Sequence, residues 1–226
     1  ALYGNEEVHQ PEMFAPHIGV DESGKGDFFG PLVVAAVYID RDIARSLLEL
    51  GVADSKKISD GKIKKLYPQI LALKGIEFKV LTLRPEKYNE LYKSFGNLNR
   101  MLAWAHATVI ADVKDKKPDC PRAFSDQFAR PELVERAVAA QGIDLSSFVM
   151  QQETKGERDL AVAAASILAR YHFVDWMERA SEKGGVNLPL GAGSNVLVSA
   201  NECVTRFGSE MLPKLVKTHF KTFQQL

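Results

Sequence analysis

The spacing of apolar and polar positions divides the chain into strands and helices. Residues 17–21 and 32–39 are apolar and rich in β-branched side chains, with Gly24, Gly26 and Gly30 between them, and they predict two strands joined by a turn. Residues 76–83 alternate as a third strand, a fourth runs up to Asp126, and a short fifth falls around 148–151. Helical spacing over 41–50 stops at Gly51, and Ser59 caps a basic amphipathic helix ending near 74–75. Pro85 opens a helix to about Ser94, where a first turn tolerates proline. A long amphipathic helix covers 97–113 until the polar run 114–118 breaks it, and another covers 131–140. Residues 158–181 read as the most buried helix, because Ala161, Ala163, Ala164, Ala165, Ser166 and Ala169 allow close packing. A glycine-rich loop precedes a last helix over 195–207. Strands cluster early and then alternate with helices, which predicts an α/β fold: a mixed sheet flanked by helices, with a helical C-terminal part. Residues 1–16 lack periodicity and are expected to be an extended lead-in to one domain over 17–226.

Composition narrows the class. With 226 residues, 46% of them hydrophobic, the chain can bury a core without disulfides, and Cys120 and Cys203 make no disulfide framework. Apolar runs are core-sized, so no membrane segment is expected; no signal peptide is evident, and a reducing cytoplasm is the expected location. Equal numbers of basic and acidic residues, 29 of each, exclude a globally basic coat. Contact with a polyanion must then come from local clusters, such as Lys56, Lys57, Lys62, Lys64 and Lys65, or Arg206, Lys214, Lys217 and Lys221.

Gly19-Val-Asp-Glu-Ser-Gly-Lys-Gly26 nearly matches a phosphate-binding loop, which would make the chain a nucleotide hydrolase. Two features oppose this. Gly26 stands where that loop needs a magnesium-binding hydroxyl, and the residues that follow read as turn and strand instead of helix. The acids carry the stronger signal. Asp21 and Glu22 close one apolar strand, Asp126 closes another, and Glu157 precedes the buried helix. Carboxylates brought to one point repel each other unless a cation intervenes, and a hard divalent ion such as Mg²⁺ suits oxygen ligands. Two such ions can clamp the attacking and leaving oxygens of a phosphoryl displacement.

These segments resemble the type 2 ribonucleases H, and within them the ribonuclease HIII branch. The resemblance runs from His17 to Phe223. It rests on residues 19–32, on Asp54-Ser-Lys56, on Asp126-Gln-Phe128, on Thr154-Lys-Gly-Glu157, on residues 163–171 and on Lys217-Thr-His-Phe-Lys221. It implies an RNase H-like fold and cleavage of the RNA strand in RNA–DNA hybrids, leaving 5′-phosphate and 3′-hydroxyl ends, by a monomer that uses two Mg²⁺ or Mn²⁺ ions. Asp21, Glu22, Asp126 and Glu157 match the family's catalytic, metal-holding quartet. Gly24, Lys25 and Gly26 match the turn that reads the ribose 2′-hydroxyl, and Ser55 and Lys56 match a motif near the nucleic-acid backbone. Lys217, His219 and Lys221 are expected to add substrate contacts. Two departures accompany the match: nothing before His17 has room for the branch's N-terminal domain resembling the TATA-binding protein, and no tyrosine follows Tyr171, where ribonucleases HII use one. A hybrid-binding module that has the fold without the activity is the alternative of another class.

Overall fold

A computed structural model describes residues 11–52, 58–154 and 156–226, without the side chains of Pro11 and Glu157. Ser55 and Lys56 therefore lie outside the described residues. Five strands, β1 (His17–Ser23), β2 (Leu32–Ile39), β3 (Glu77–Leu83), β4 (Arg122–Asp126) and β5 (Val149–Glu153), form one sheet in the order β3-β2-β1-β4-β5. The strands β1 and β2, and β2 and β3, pair antiparallel; β1 pairs with β4 and β4 with β5 in parallel. It follows that β1, β3, β4 and β5 all point the same way, and their C-terminal ends share one edge of the sheet.

Seven α-helices accompany the sheet among the described residues: α1 (Arg41–Glu49), α2 (Asp60–Leu71), α3 (Pro85–Phe95), α4 (Leu98–Lys116), α5 (Pro131–Ala140), α6 (Leu160–Gly184) and α7 (Ser194–Phe207). No helix among them is long and apolar enough to cross a membrane. Helix α6 lies on β1 and β2 with its small residues inward. It approaches so closely that a Cβ on Gly19 would stand 2.1 Å from the backbone of Ala161. Gly19 thus serves helix-on-strand packing, and the chain after Gly26 enters β2 instead of a helix, so the phosphate-loop reading fails structurally. The cap of α6 is Asp159, whose Oδ1 accepts from the N–H groups of Ala161 and Val162 while Oδ2 meets buried His17 at 2.9 Å. All eight residues of β2 are buried, as expected for a strand covered on both faces.

One expectation changes. The lead-in is not wholly extended: Pro11–Phe14 forms a 3₁₀ turn, and Phe14 joins the core at 5% exposure. A three- or four-residue helix leaves no hydrophobic period to read.

Candidate active site

Successive side chains of a strand point to opposite faces, so Asp21 shares its face with Gly19, toward α6, and Glu22 points the other way. The parallel register aligns Gly19 with Phe124 and Val20 with Ser125. Carried one residue further, that register sets Asp21 beside Asp126 on the same face, with Asp126 the last residue of β4 and Asp21 two residues before the end of β1. Asp126 Oδ1 accepts from the Gly156 N–H at 3.2 Å, and a Cβ on Gly156 would lie 2.8 Å from the Asp126 nitrogen. The absence of that Cβ lets the 3₁₀ turn Gly156–Arg158, which contains Glu157, press against the end of β4. Asp21 Oδ1 accepts from the Glu22 N–H at 2.8 Å.

Glu22, on the opposite face, meets α4. Its Oε2 accepts from His106 Nε2 at 3.0 Å, and its Oε1 from Lys25 Nζ at 3.2 Å. Burial alone would raise the Glu22 pKa, but the hydrogen bond and charge of His106, reinforced by Lys25, outweigh it and hold the pKa at about 2. Among the described residues no three His, Cys, Asp or Glu side chains converge as a ready metal cage. The β1–β4 register instead points Asp21 and Asp126 toward one another at the sheet edge, with Glu22 held against α4 and the Glu157 backbone next to Asp126.

The glycine turn follows directly. Gly24 has a φ of +87°, and its backbone is buried beneath Phe173 and Pro31, whereas Gly26 has open space around it. Lys25 is partly exposed between them, with its ammonium 5.7 Å from the Phe128 ring centre.

At the C-terminal motif the structure corrects one expectation. Lys217 cannot touch substrate, because it is fully buried. Its ammonium donates to the carbonyls of Asp27 at 2.8 Å and Gly30 at 2.7 Å, so it braces the glycine turn from behind. Burial lowers its pKa to about 7 against a smaller opposing pull from Asp27. His219 is half-buried and stacks on Tyr92 at 4.2 Å between ring centres, and Lys221 is exposed. His106 had no sequence signal beyond being a lone titratable residue within the apolar face of a helix. A cavity of about 770 Å³ lies elsewhere, at the β3 edge among Arg84, Trp176, Arg179 and Lys214, and includes none of the four acids.

The family model for ribonuclease HII matches residues 18–223. A ribonuclease HIII of Chlamydia pneumoniae is 47% identical over 213 residues, covering 93% of this chain and 70% of the relative. A ribonuclease HIII of Protochlamydia amoebophila is 43% identical over 211 residues, covering 93% of this chain and 68% of the relative. Among solved structures, Bst-RNase HIII in complex with Mn²⁺ superposes with a TM-score of 0.85 at 33% identity, covering 94% of this chain and 69% of that one.

Proposed function

The chain belongs to the ribonuclease HII family and, within it, to the ribonuclease HIII branch, so it is a type 2 ribonuclease H; from that premise we propose that it hydrolyses the RNA strand of RNA–DNA hybrids at the Asp21–Asp126 rim. One observation carries the reading: the parallel register of β1 with β4, which, continued one residue past Val20 and Ser125, supports a meeting of Asp21 and Asp126 at one edge of the sheet. Oxygen donors so placed suit a hard divalent cation, Mg²⁺ or Mn²⁺, whose charge offsets their repulsion. That Bst-RNase HIII is known in complex with Mn²⁺ supports a divalent cation in this reading. Asp21 and Asp126 would hold the cation; Glu22, whose side chain leaves the other face but whose Oε1 turns toward Lys25 just past the end of β1, and Glu157 would complete a donor set large enough for two. When bound, such ions lower the pKa of water and stabilise charge on a departing oxygen.

The chain's own groups supply the rest. Water is the nucleophile in this reading, and Cys120 and Cys203, buried in the core at 3% and 2% exposure, do not compete with it. Water forms the new bond to phosphorus as the bond to the 3′-oxygen breaks, so the 3′-oxygen leaves and takes a proton, giving a 5′-phosphate and a 3′-hydroxyl. The turn at Gly24-Lys25-Gly26 offers backbone groups to a ribose 2′-hydroxyl, the group that separates RNA from DNA. Lys25, its amine at the rim, neutralises a phosphate beside the cut.

The test is cleavage of labelled hybrid, duplex DNA and duplex RNA with Mg²⁺ or Mn²⁺, with Asp126→Asn alongside. Cutting is expected on the hybrid alone, and Asp126→Asn should abolish it while hybrid binding persists. Turnover at the wild-type rate in that variant removes Asp126 from the site. Hybrid binding without cleavage in the wild-type chain would favour the inert binding module.

A further inference from the structure

The two oxygens of Glu22 are held by very different partners. His106, which takes Oε2, is 1% exposed inside α4, and its ring packs 4.7 Å from the Phe128 ring centre. Leu102, Ala103, Ala105 and Val109 are buried around it on the same helix, so His106 cannot leave Glu22 without unpacking α4. Lys25, which takes Oε1, stands on a turn with 38% of its side chain exposed. An ion pair of that kind is weak and easily exchanged.

A second feature concerns His106 itself. Its Nδ1 is buried and has no hydrogen-bond partner. A buried, unpaired polar atom costs stability, and buried polar groups in folded proteins nearly always find partners. A leucine would fill this space without that cost. Its packing on Phe128 needs no polar atom, so what accounts for an imidazole here is its hydrogen bond to Glu22.

Resting on the reading of Asp21, Glu22, Asp126 and Glu157 as the metal-binding centre, we propose that His106 is a positioning residue that fixes Glu22 by Oε2 and so leaves Oε1 as the oxygen offered to a cation. Lys25 is then a placeholder: its ammonium sits on Oε1 while no cation is bound, and binding of the cation releases it to the exposed turn, toward the phosphates of a bound strand. Groups that orient a metal ligand from behind typically change metal affinity by about 10–100-fold when removed.

The experiment is calorimetric titration of the full chain with Mn²⁺ in the absence of nucleic acid. The proteins are wild type, His106→Gln, His106→Leu, Lys25→Met and Asp126→Asn, each checked by thermal melting. His106→Leu should weaken Mn²⁺ binding by about 10-fold or more, and His106→Gln, which keeps an N–H donor, should restore most of it. Lys25→Met should tighten binding by roughly two- to fivefold, because a competitor for Oε1 is gone. If Asp126→Asn loses Mn²⁺ but His106→Leu binds like wild type, His106 has no positioning role and the centre stands. If Asp126→Asn binds like wild type, the centre itself is misplaced. Should His106→Leu fail to fold, Lys25→Met decides, and an unchanged affinity there overturns the placeholder.

Discussion

Gly24 and Gly26 flank the same lysine, yet they face opposite constraints. A Cβ on Gly24 would stand 2.2 Å from the Pro31 carbonyl oxygen and 2.8 Å from two atoms of the Phe173 ring, at a φ of +87°. A side chain in that backbone region costs about 1–3 kcal/mol before any collision is counted. Gly26 would place a Cβ in open space. Gly24→Ala is therefore expected to lower the unfolding free energy by at least about 1–3 kcal/mol, and Gly26→Ala to stay within about 0.5 kcal/mol of wild type. If the turn approaches a ribose 2′-hydroxyl, Gly26→Ala should still slow hybrid cleavage, because its methyl group would stand on the substrate side. Urea unfolding and single-turnover rates on both variants check this. A Gly26→Ala protein with wild-type rate would move 2′-hydroxyl recognition away from Gly26, and an unperturbed Gly24→Ala would contradict the packing. The sequence marks both residues as turn glycines; only the surroundings tell a structural glycine from an accessible one.

At the scale of elements, the C-terminal segment is strapped to the glycine turn. The Gly30 N–H donates to the Leu215 carbonyl and the Lys217 N–H to the Phe28 carbonyl, both at 2.9 Å, and the Lys217 ammonium reaches the turn's carbonyls from beneath. Burial lowers the folded pKa of Lys217 to about 7, whereas the ordinary lysine value is 10.5. Between those values the unfolded chain carries a proton that the folded chain lacks, so raising the pH from about 7 toward 10.5 stabilises the fold through this group. The slope is at most about 1.4 kcal/mol per pH unit. Urea unfolding of wild type and Lys217→Met at pH 7 and pH 9.5 should show the wild type gaining on the variant at the higher pH; parallel behaviour would mean that Lys217 does not titrate in the fold. The sequence shows the motif at Lys217 but not its direction, because burial of a lysine is decided by residues about 190 positions away. The same limit applies to the acids. The apolar run ending in Asp126 gives the end of β4 and the one ending in Asp21 stops two residues short of the end of β1, while β2 and α5 follow the hydrophobic pattern residue for residue. The pairing that brings those ends together joins strands some 100 residues apart, and local spacing carries no record of it. His106 was hidden for a related reason, since its partner Glu22 lies 84 residues away.

Over the whole molecule the charges cancel, 29 against 29, but they are not evenly spread. The four strands that point toward the acid edge are each followed, within a few residues, by a cation: Lys25 after β1, Arg84 after β3, Arg130 after β4 and Arg158 after β5. Arg84, Arg130 and Arg158 are exposed. A chain with no net charge can therefore present a positive border around an acidic centre, and that border is what a nucleic-acid backbone would meet. Each phosphate neutralised on B-form DNA contributes about −0.9 to the slope of log affinity against log salt, so four contacts give a slope near −3.6. Between 50 and 200 mM salt the affinity for hybrid should fall by roughly 150-fold if all four engage. Arg130→Ala and Arg84→Ala should each flatten the slope by about one and weaken binding alike for hybrids of different sequence. Fluorescence anisotropy of a labelled hybrid across that salt range, in Ca²⁺ to suppress cleavage, measures both quantities. A slope near zero would show that the rim cations do not meet phosphates. A steep slope that Arg84→Ala and Arg130→Ala leave unchanged would place the contacts elsewhere on the molecule, with the exposed lysines Lys62 and Lys65 of α2 the next to replace.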